Sequence, residues 1–300
     1  MSYFVDKDVV CCLGDSITAA GLWMAEIYQE VKKTRNVKFY NCGVSGGCAY
    51  LAADYLYHSC LSKNPTKTFV TFGVNDISRW VLSKDSTDPD PMGTVRSYIE
   101  LYKVKMEEIV RNILDFGSEV ILCTAMPYDE YSDVAAENLK CEFAMEECAE
   151  FVRELANKYG TVLIDQRKEF LSLIGTHDVI CADRVHPTPH GYHMMAQYIL
   201  YSLGEIDAPV YDGDFLPEEW NKERMAAESR LKLIDYPEFV TLWRFSKETG
   251  CGLCGKIEEA KKRLEAWPND NDYTAKAYKA FIADADKRIQ FENEIVRLTV

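Results

Sequence analysis

Five short apolar runs, at residues 8–13, 37–42, 68–72, 119–125 and 162–165, alternate with helical stretches, and this alternation limits what the chain can fold into more than any other feature. The stretches 22–33, 49–62, 95–116, 135–159 and 191–203 carry apolar positions at i, i+3 and i+4. Strands separated by helices of this length return to one sheet as parallel neighbours, through right-handed crossovers that cover both faces. Near-continuous apolar runs such as Val9-Val10-Cys11-Cys12-Leu13 suit strands buried on two sides. The expected core is an α/β three-layer sandwich around a five-stranded parallel sheet. Open sheets of this kind bind ligands beyond the carboxyl ends of their strands, so chemistry is sought in the loops that follow the runs.

The alternation stops near Gly204. Residues 218–234, 256–266 and 273–297 read as helices with no strand between them. The expected division is a catalytic domain at 1–204 and a helical C-terminal extension at 205–300, which packs on the core, mediates a homo-oligomer or caps the active edge. An acidic, proline-punctuated segment at 83–93 reads as a long loop after the third strand. The net charge of −14 argues against nucleic acid or an anionic membrane surface as a main partner. The 11 cysteines are odd in number, and several lie in apolar runs, as reduced core thiols do. No stretch approaches the roughly 20 apolar residues of a membrane span, and residues 1–8 lack the features of a signal peptide. A cytoplasmic location is expected.

Gly14-Asp15-Ser16-Ile17-Thr18 closes the first run and places Ser16 where a strand hands over to a helix. Taken alone, Ser16 reads as readily as a helix cap as a nucleophile. A serine hydroxyl becomes nucleophilic when a base takes its proton and a third group orients that base. The exit loop of the last run offers both in Asp183-Arg184-Val185-His186-Pro187, where Asp183 and His186 stand three residues apart. Acyl transfer further needs donors for the oxyanion. Asn41-Cys42-Gly43-Val44-Ser45-Gly46-Gly47 follows the second run and Gly73-Val74-Asn75-Asp76 the third. The Ser16 N–H, the Gly46 N–H and the Asn75 amide would make three donors, with Asp15 and Asp76 shaping the loops.

These four blocks, in this order, resemble the GDSL/SGNH hydrolase family over roughly residues 8–203. The resemblance maps serine to Ser16, glycine to Gly46 with Gly43 and Gly47 beside it, asparagine to Asn75 and histidine to His186, and Asp183 completes the triad. It implies a flavodoxin-like sheet of order 2-1-3-4-5 and metal-independent hydrolysis of a small-molecule carboxylic ester or thioester through an acyl-enzyme, without a cofactor. A small-acyl or carbohydrate O-acetyl esterase leads, and a lysophospholipase- or thioesterase-like acyl hydrolase is the alternative. A non-catalytic ligand-binding α/β module would want a Gly-rich phosphate loop, which the first run lacks. A scaffold with a vestigial site would want a missing triad member.

Arg79, Trp80 and Tyr128 follow strands three and four and are expected to line the substrate cleft. His186, His190 and His193 suggest a metal, but no Glu-flanked zinc pattern accompanies them. His58 and His177 read as ordinary histidines. Cys251-Gly252-Leu253-Cys254 reads as a chance pair at a glycine-rich turn, since a redox motif wants a strand-to-helix junction and zinc wants two more ligands.

Overall fold

The computed structural model describes residues 2–212, apart from 84, 85, 129–140, 175, 178 and 181–183, together with 261, 262, 265 and 279. Five strands, β1 (Val9–Gly14), β2 (Lys38–Gly43), β3 (Lys67–Thr71), β4 (Glu119–Cys123) and β5 (Val162–Ile164), form one parallel sheet of order β2-β1-β3-β4-β5. The chain steps from β1 to one side and then crosses back to the other. This reversal beside β1 opens a crevice at the carboxyl ends of the central strands.

The helices are α1 (Ser16–Ala20), α2 (Leu22–Val31), α3 (Ala49–Ser59), α4 (Pro91–Phe116), α5 (Glu142–Tyr159), α6 (Gln166–Leu173) and α7 (Pro189–Ser202). Alternate residues of β1 feed two cores. Cys11 and Leu13 pack with α3, α4 and α5, whereas Val10 and Cys12 pack with α2, α6 and α7. A sheet covered on both faces needs apolar side chains pointing both ways, which is why its strands read as unbroken apolar runs. Cys11, Cys12 and Cys123 are buried and form no disulfide.

Three departures from the sequence expectation have physical causes. Helix α4 begins inside the segment read as a loop, because Pro91 takes the first helical position and the Asp90 side chain accepts from Gly93 N at 3.0 Å. Helix α6 follows β5 without an apolar stripe at its start, since the buried face opens with Gln166 and Arg167. Arg167 is 2% exposed and is held by Glu142 and Glu146 of α5. The extended turn after β4 is tied to the same group, with Tyr128 N donating to Glu142 Oε1 at 2.7 Å.

Just past position 204 the chain stays on this domain. Glu205 Oε1 accepts from Ser2 Oγ, Tyr3 N and Phe4 N, and its Oε2 accepts from Arg35. The three tail helices expected at 218–297 lie outside the described residues, apart from helical positions 261, 262, 265 and 279, and so does the Cys251/Cys254 pair. No helix of the described residues is long and apolar enough to cross a membrane.

Candidate active site

Helix α1 starts immediately after β1, and its cap is Asp15. That carboxylate accepts from Ile17 N at 2.9 Å. Capping by Asp15 leaves the Ser16 hydroxyl uncommitted to the backbone, and Ser16 Oγ lies 2.7 Å from His186 Nε2. The two residues are 170 positions apart. What brings them together is a pair of neighbouring helices. Ser16 leads through α1 and Gly21 into α2, while His186 leads through the Thr188 cap into α7. Glu26 of α2 receives His193 Nδ1 at 2.8 Å and Gln197 Nε2 at 2.8 Å from α7. Burial of His193 opposes its protonation, and the Glu26 carboxylate outweighs that and raises its pKa. On the other side, Thr188 N donates to Val179 O at 2.9 Å and anchors the exit loop of His186. Asp183, the expected third member, lies outside the described residues.

The loops after β2 and β3 are stitched to the Ser16 loop. Val44 N donates to Gly14 O at 2.9 Å, and Asn75 Nδ2 donates to Gly47 O at 3.1 Å. Gly46 holds φ at 71°, a left-handed conformation that favours glycine. A side chain on Gly47 would stand 2.7 Å from Val44 O and 3.3 Å from Gly14 O, so this turn presses its backbone against the Ser16 loop. Asp76 caps α3 from outside the helix, its Oδ1 accepting from Ala49 N at 2.7 Å. Ser16, Gly46, Asn75 and His186 thus stand on loops leaving the same edge of the sheet. Such a cluster can take a proton from a hydroxyl and offer N–H groups to a developing oxyanion.

The three expected cleft residues fare differently. Trp80 is 51% exposed, whereas Tyr128 is buried in the core beside α4 and α5. Arg79 is half-buried and donates to Val74 O at 3.1 Å and Asn75 Oδ1 at 3.0 Å. Nothing in the sequence announced that last contact beyond a four-residue spacing.

The histidines at 186, 190 and 193 part company. His186 meets Ser16 and His193 meets Glu26, while His190 lies in a ring stack with His177, 6.5 Å between centroids. Among the described residues the one group with metal-ligand spacing is Cys11, Cys42 and Cys60, whose sulfurs lie within 4.8 Å of one another. All three are buried in the core beneath α3. Three thiolates form a set for a soft ion such as copper(I).

No curated protein matches the chain by sequence. Among solved structures, it is similar to a gut microbial diltiazem-metabolizing enzyme, with a TM-score of 0.60 and 22% identity over 68% of this chain and 48% of the other. The chain therefore spans about half the length of that enzyme. An acetylxylan esterase from Geobacillus stearothermophilus superposes with a TM-score of 0.57 and 17% identity over 73% of this chain and 100% of its own. A variant of that enzyme, described as an acetyl-xylooligosaccharide esterase, gives a TM-score of 0.58 and 18% identity over 70% and 100%. At these identities the likeness is one of fold. The model of the GDSL-like lipase/acylhydrolase family matches residues 12–194, from the middle of β1 into α7, and so takes in every loop that carries the site. The chain belongs to the GDSL-like lipase/acylhydrolase family.

Proposed function

We propose that the protein is a metal-independent serine esterase that cleaves small-acyl esters, carbohydrate O-acetyl groups foremost, through an acyl-enzyme on Ser16. The observation that carries this reading is the 2.7 Å approach of Ser16 Oγ to His186 Nε2 at the carboxyl edge of the sheet. With the imidazole in its Nδ1–H tautomer, the serine hydroxyl donates to Nε2 and gives up its proton as Oγ attacks the ester carbonyl. His186 then returns that proton to the leaving alcohol, and in the second half-reaction it activates the water that releases the acid. The Ser16 and Gly46 N–H groups and the Asn75 amide supply the donors for the oxyanion of both tetrahedral intermediates. Nucleophile, base and donors are all groups of the chain itself, so the scheme asks nothing of a metal.

Asp183 is assigned to the imidazole by spacing. It stands three residues before His186. Catalytic mutants of the Geobacillus acetylxylan esterase have been made at a serine, an aspartate and a histidine, the last two also three positions apart. The acetyl preference draws on the same enzyme. A lysophospholipase- or thioesterase-like activity is the competing reading. It differs in the acyl chain it demands.

A fluorophosphonate probe and a series of p-nitrophenyl esters test both levels. Wild-type protein is expected to be labelled and to hydrolyse acetate fastest, and Ser16→Ala to lose both properties. Labelling that survives Ser16→Ala would remove the nucleophile, and activity peaking at octanoate or longer would replace the small-acyl assignment by the lipid-like one.

A further inference from the structure

The Asn75 amide is held from two sides. Its Nδ2 donates to Gly47 O at 3.1 Å, which uses one N–H and leaves the other for a ligand. Its Oδ1 accepts from Arg79 Nη1 at 3.0 Å, and the same nitrogen donates to Val74 O at 3.1 Å. A guanidinium has donors and no acceptor, so an amide turned over would set its NH2 group against Arg79 and its oxygen against Gly47 O. The chain is bent to make this contact. Ser78, fully buried, holds φ at 51°, a left-handed conformation uncommon outside glycine, and it starts the turn Arg79–Leu82 that returns the guanidinium to Val74 and Asn75.

We propose that Arg79 is a positioning residue of the oxyanion hole: it locks the Asn75 amide with an N–H presented to the ligand and polarises that N–H through its hold on the carbonyl oxygen. A charge-assisted hydrogen bond is roughly twice as strong as a neutral one, and a donor already aimed at the oxyanion needs no reorganisation when charge develops. Arg79 therefore acts on the transition state through Asn75 and not by gripping substrate. The inference rests on Ser16 being the nucleophile.

A double-mutant cycle on p-nitrophenyl acetate hydrolysis tests it, using wild type, Arg79→Met, Asn75→Ala and the double variant, with Arg79→Lys beside them. Removing an oxyanion donor costs about 100- to 1000-fold in kcat. Arg79→Met is expected to lower kcat by about 10- to 100-fold while KM stays within about 3-fold, since only a transition-state interaction is weakened. Arg79→Lys should recover part of the loss. In the Asn75→Ala background, Arg79→Met should cost less than about 2-fold more, because its target is gone. Losses that multiply in the double variant, or a raised KM at unchanged kcat, would overturn the proposal. If Arg79→Met fails to fold, Arg79→Lys and Arg79→Gln carry the same cycle. A wild type that neither hydrolyses esters nor takes the fluorophosphonate on Ser16 would sink the esterase reading itself. An active, labelled wild type with multiplying losses would sink Arg79 alone.

Discussion

Two buried carboxyl groups, Asp15 and Asp76, are the chain neighbours of Ser16 and Asn75. Burial pushes Asp76 up to about 7 against the pull of the Ala49 N–H, and a charge on Asp15 pushes in the same direction. Burial likewise pushes Asp15 up to about 6, opposed by the Ile17 N–H and by the positive fields of His186 and Arg79. Asp76 Oδ2 has no hydrogen-bond partner among the described residues, so ionisation leaves a charged oxygen poorly solvated. An acid whose pKa is higher folded than unfolded holds its proton longer in the native state. Stability therefore falls as pH rises from about 4, the ordinary carboxyl value, through about 7. Asp76→Asn keeps an acceptor for Ala49 N and cannot ionise. Its melting temperature relative to wild type is expected to rise from pH 4.5 to about pH 7 and to level off above that, and parallel pH profiles for the two proteins would refute the assignment. The approach of His186 to Ser16 was legible in the sequence because chemistry restricts such a pair to few residue types. The division of labour around them was not. That Asp15 and not Ser16 caps the helix depends on one backbone geometry, and the grip of Arg79 on Asn75 depends on the left-handed turn at Ser78, which no propensity favours.

At the scale of elements, the position of Ser16 is set by how closely α1 lies on the end of β2. A Cβ on Gly43 would stand 2.3 Å from Ala19 N and 2.7 Å from the Thr18 carbonyl carbon, both backbone atoms that cannot swing aside. The only relief is to lift α1, and Ser16 rises with it. Gly43→Ala should therefore cost about 1–3 kcal/mol in urea unfolding, the usual penalty of overpacking, and kcat should fall at least about 10-fold with it, since small misplacements of a nucleophile are expensive. Destabilisation with an unchanged kcat would show that α1 and β2 are less tightly coupled. All five strands and the helices α2, α3, α4, α5 and α7 were visible as periodicity, with ends shifted by up to four residues, save that α5 begins at Glu142 and positions 135–140 of the expected helix lie outside the described residues. Helix α6 was hidden because its buried start is polar. Arg167 goes inside with its charges met by Glu142 and Glu146, partners from another helix that a local pattern does not contain.

For the molecule as a whole, the sheet order followed from the family resemblance, because alternation alone admits other windings of five parallel strands. Residues 205–212 were assigned to the helical extension, yet Glu205 ties them to the amino terminus by way of Ser2, Tyr3 and Phe4, and Tyr211 OH donates to Glu169 of α6 at 2.7 Å. Such contacts between distant segments are invisible to any reading by windows. The same remoteness has a kinetic meaning. The stretch between Ser16 and His186, which are 170 positions apart, holds every crossover of the sheet, so their meeting has a high contact order and waits until α7 has docked on α2. In stopped-flow refolding, ester hydrolysis should return no faster than the last tertiary signal, and well after the helical circular dichroism. Recovery in step with the helical signal would show the two loops meeting before the sheet is closed. A nascent chain that has released only the first four strands carries Ser16, the Gly46 turn and Asn75 but not His186. The cell thus receives a hydrolase whose first turnover certifies that the polypeptide has been threaded to the end of its sheet.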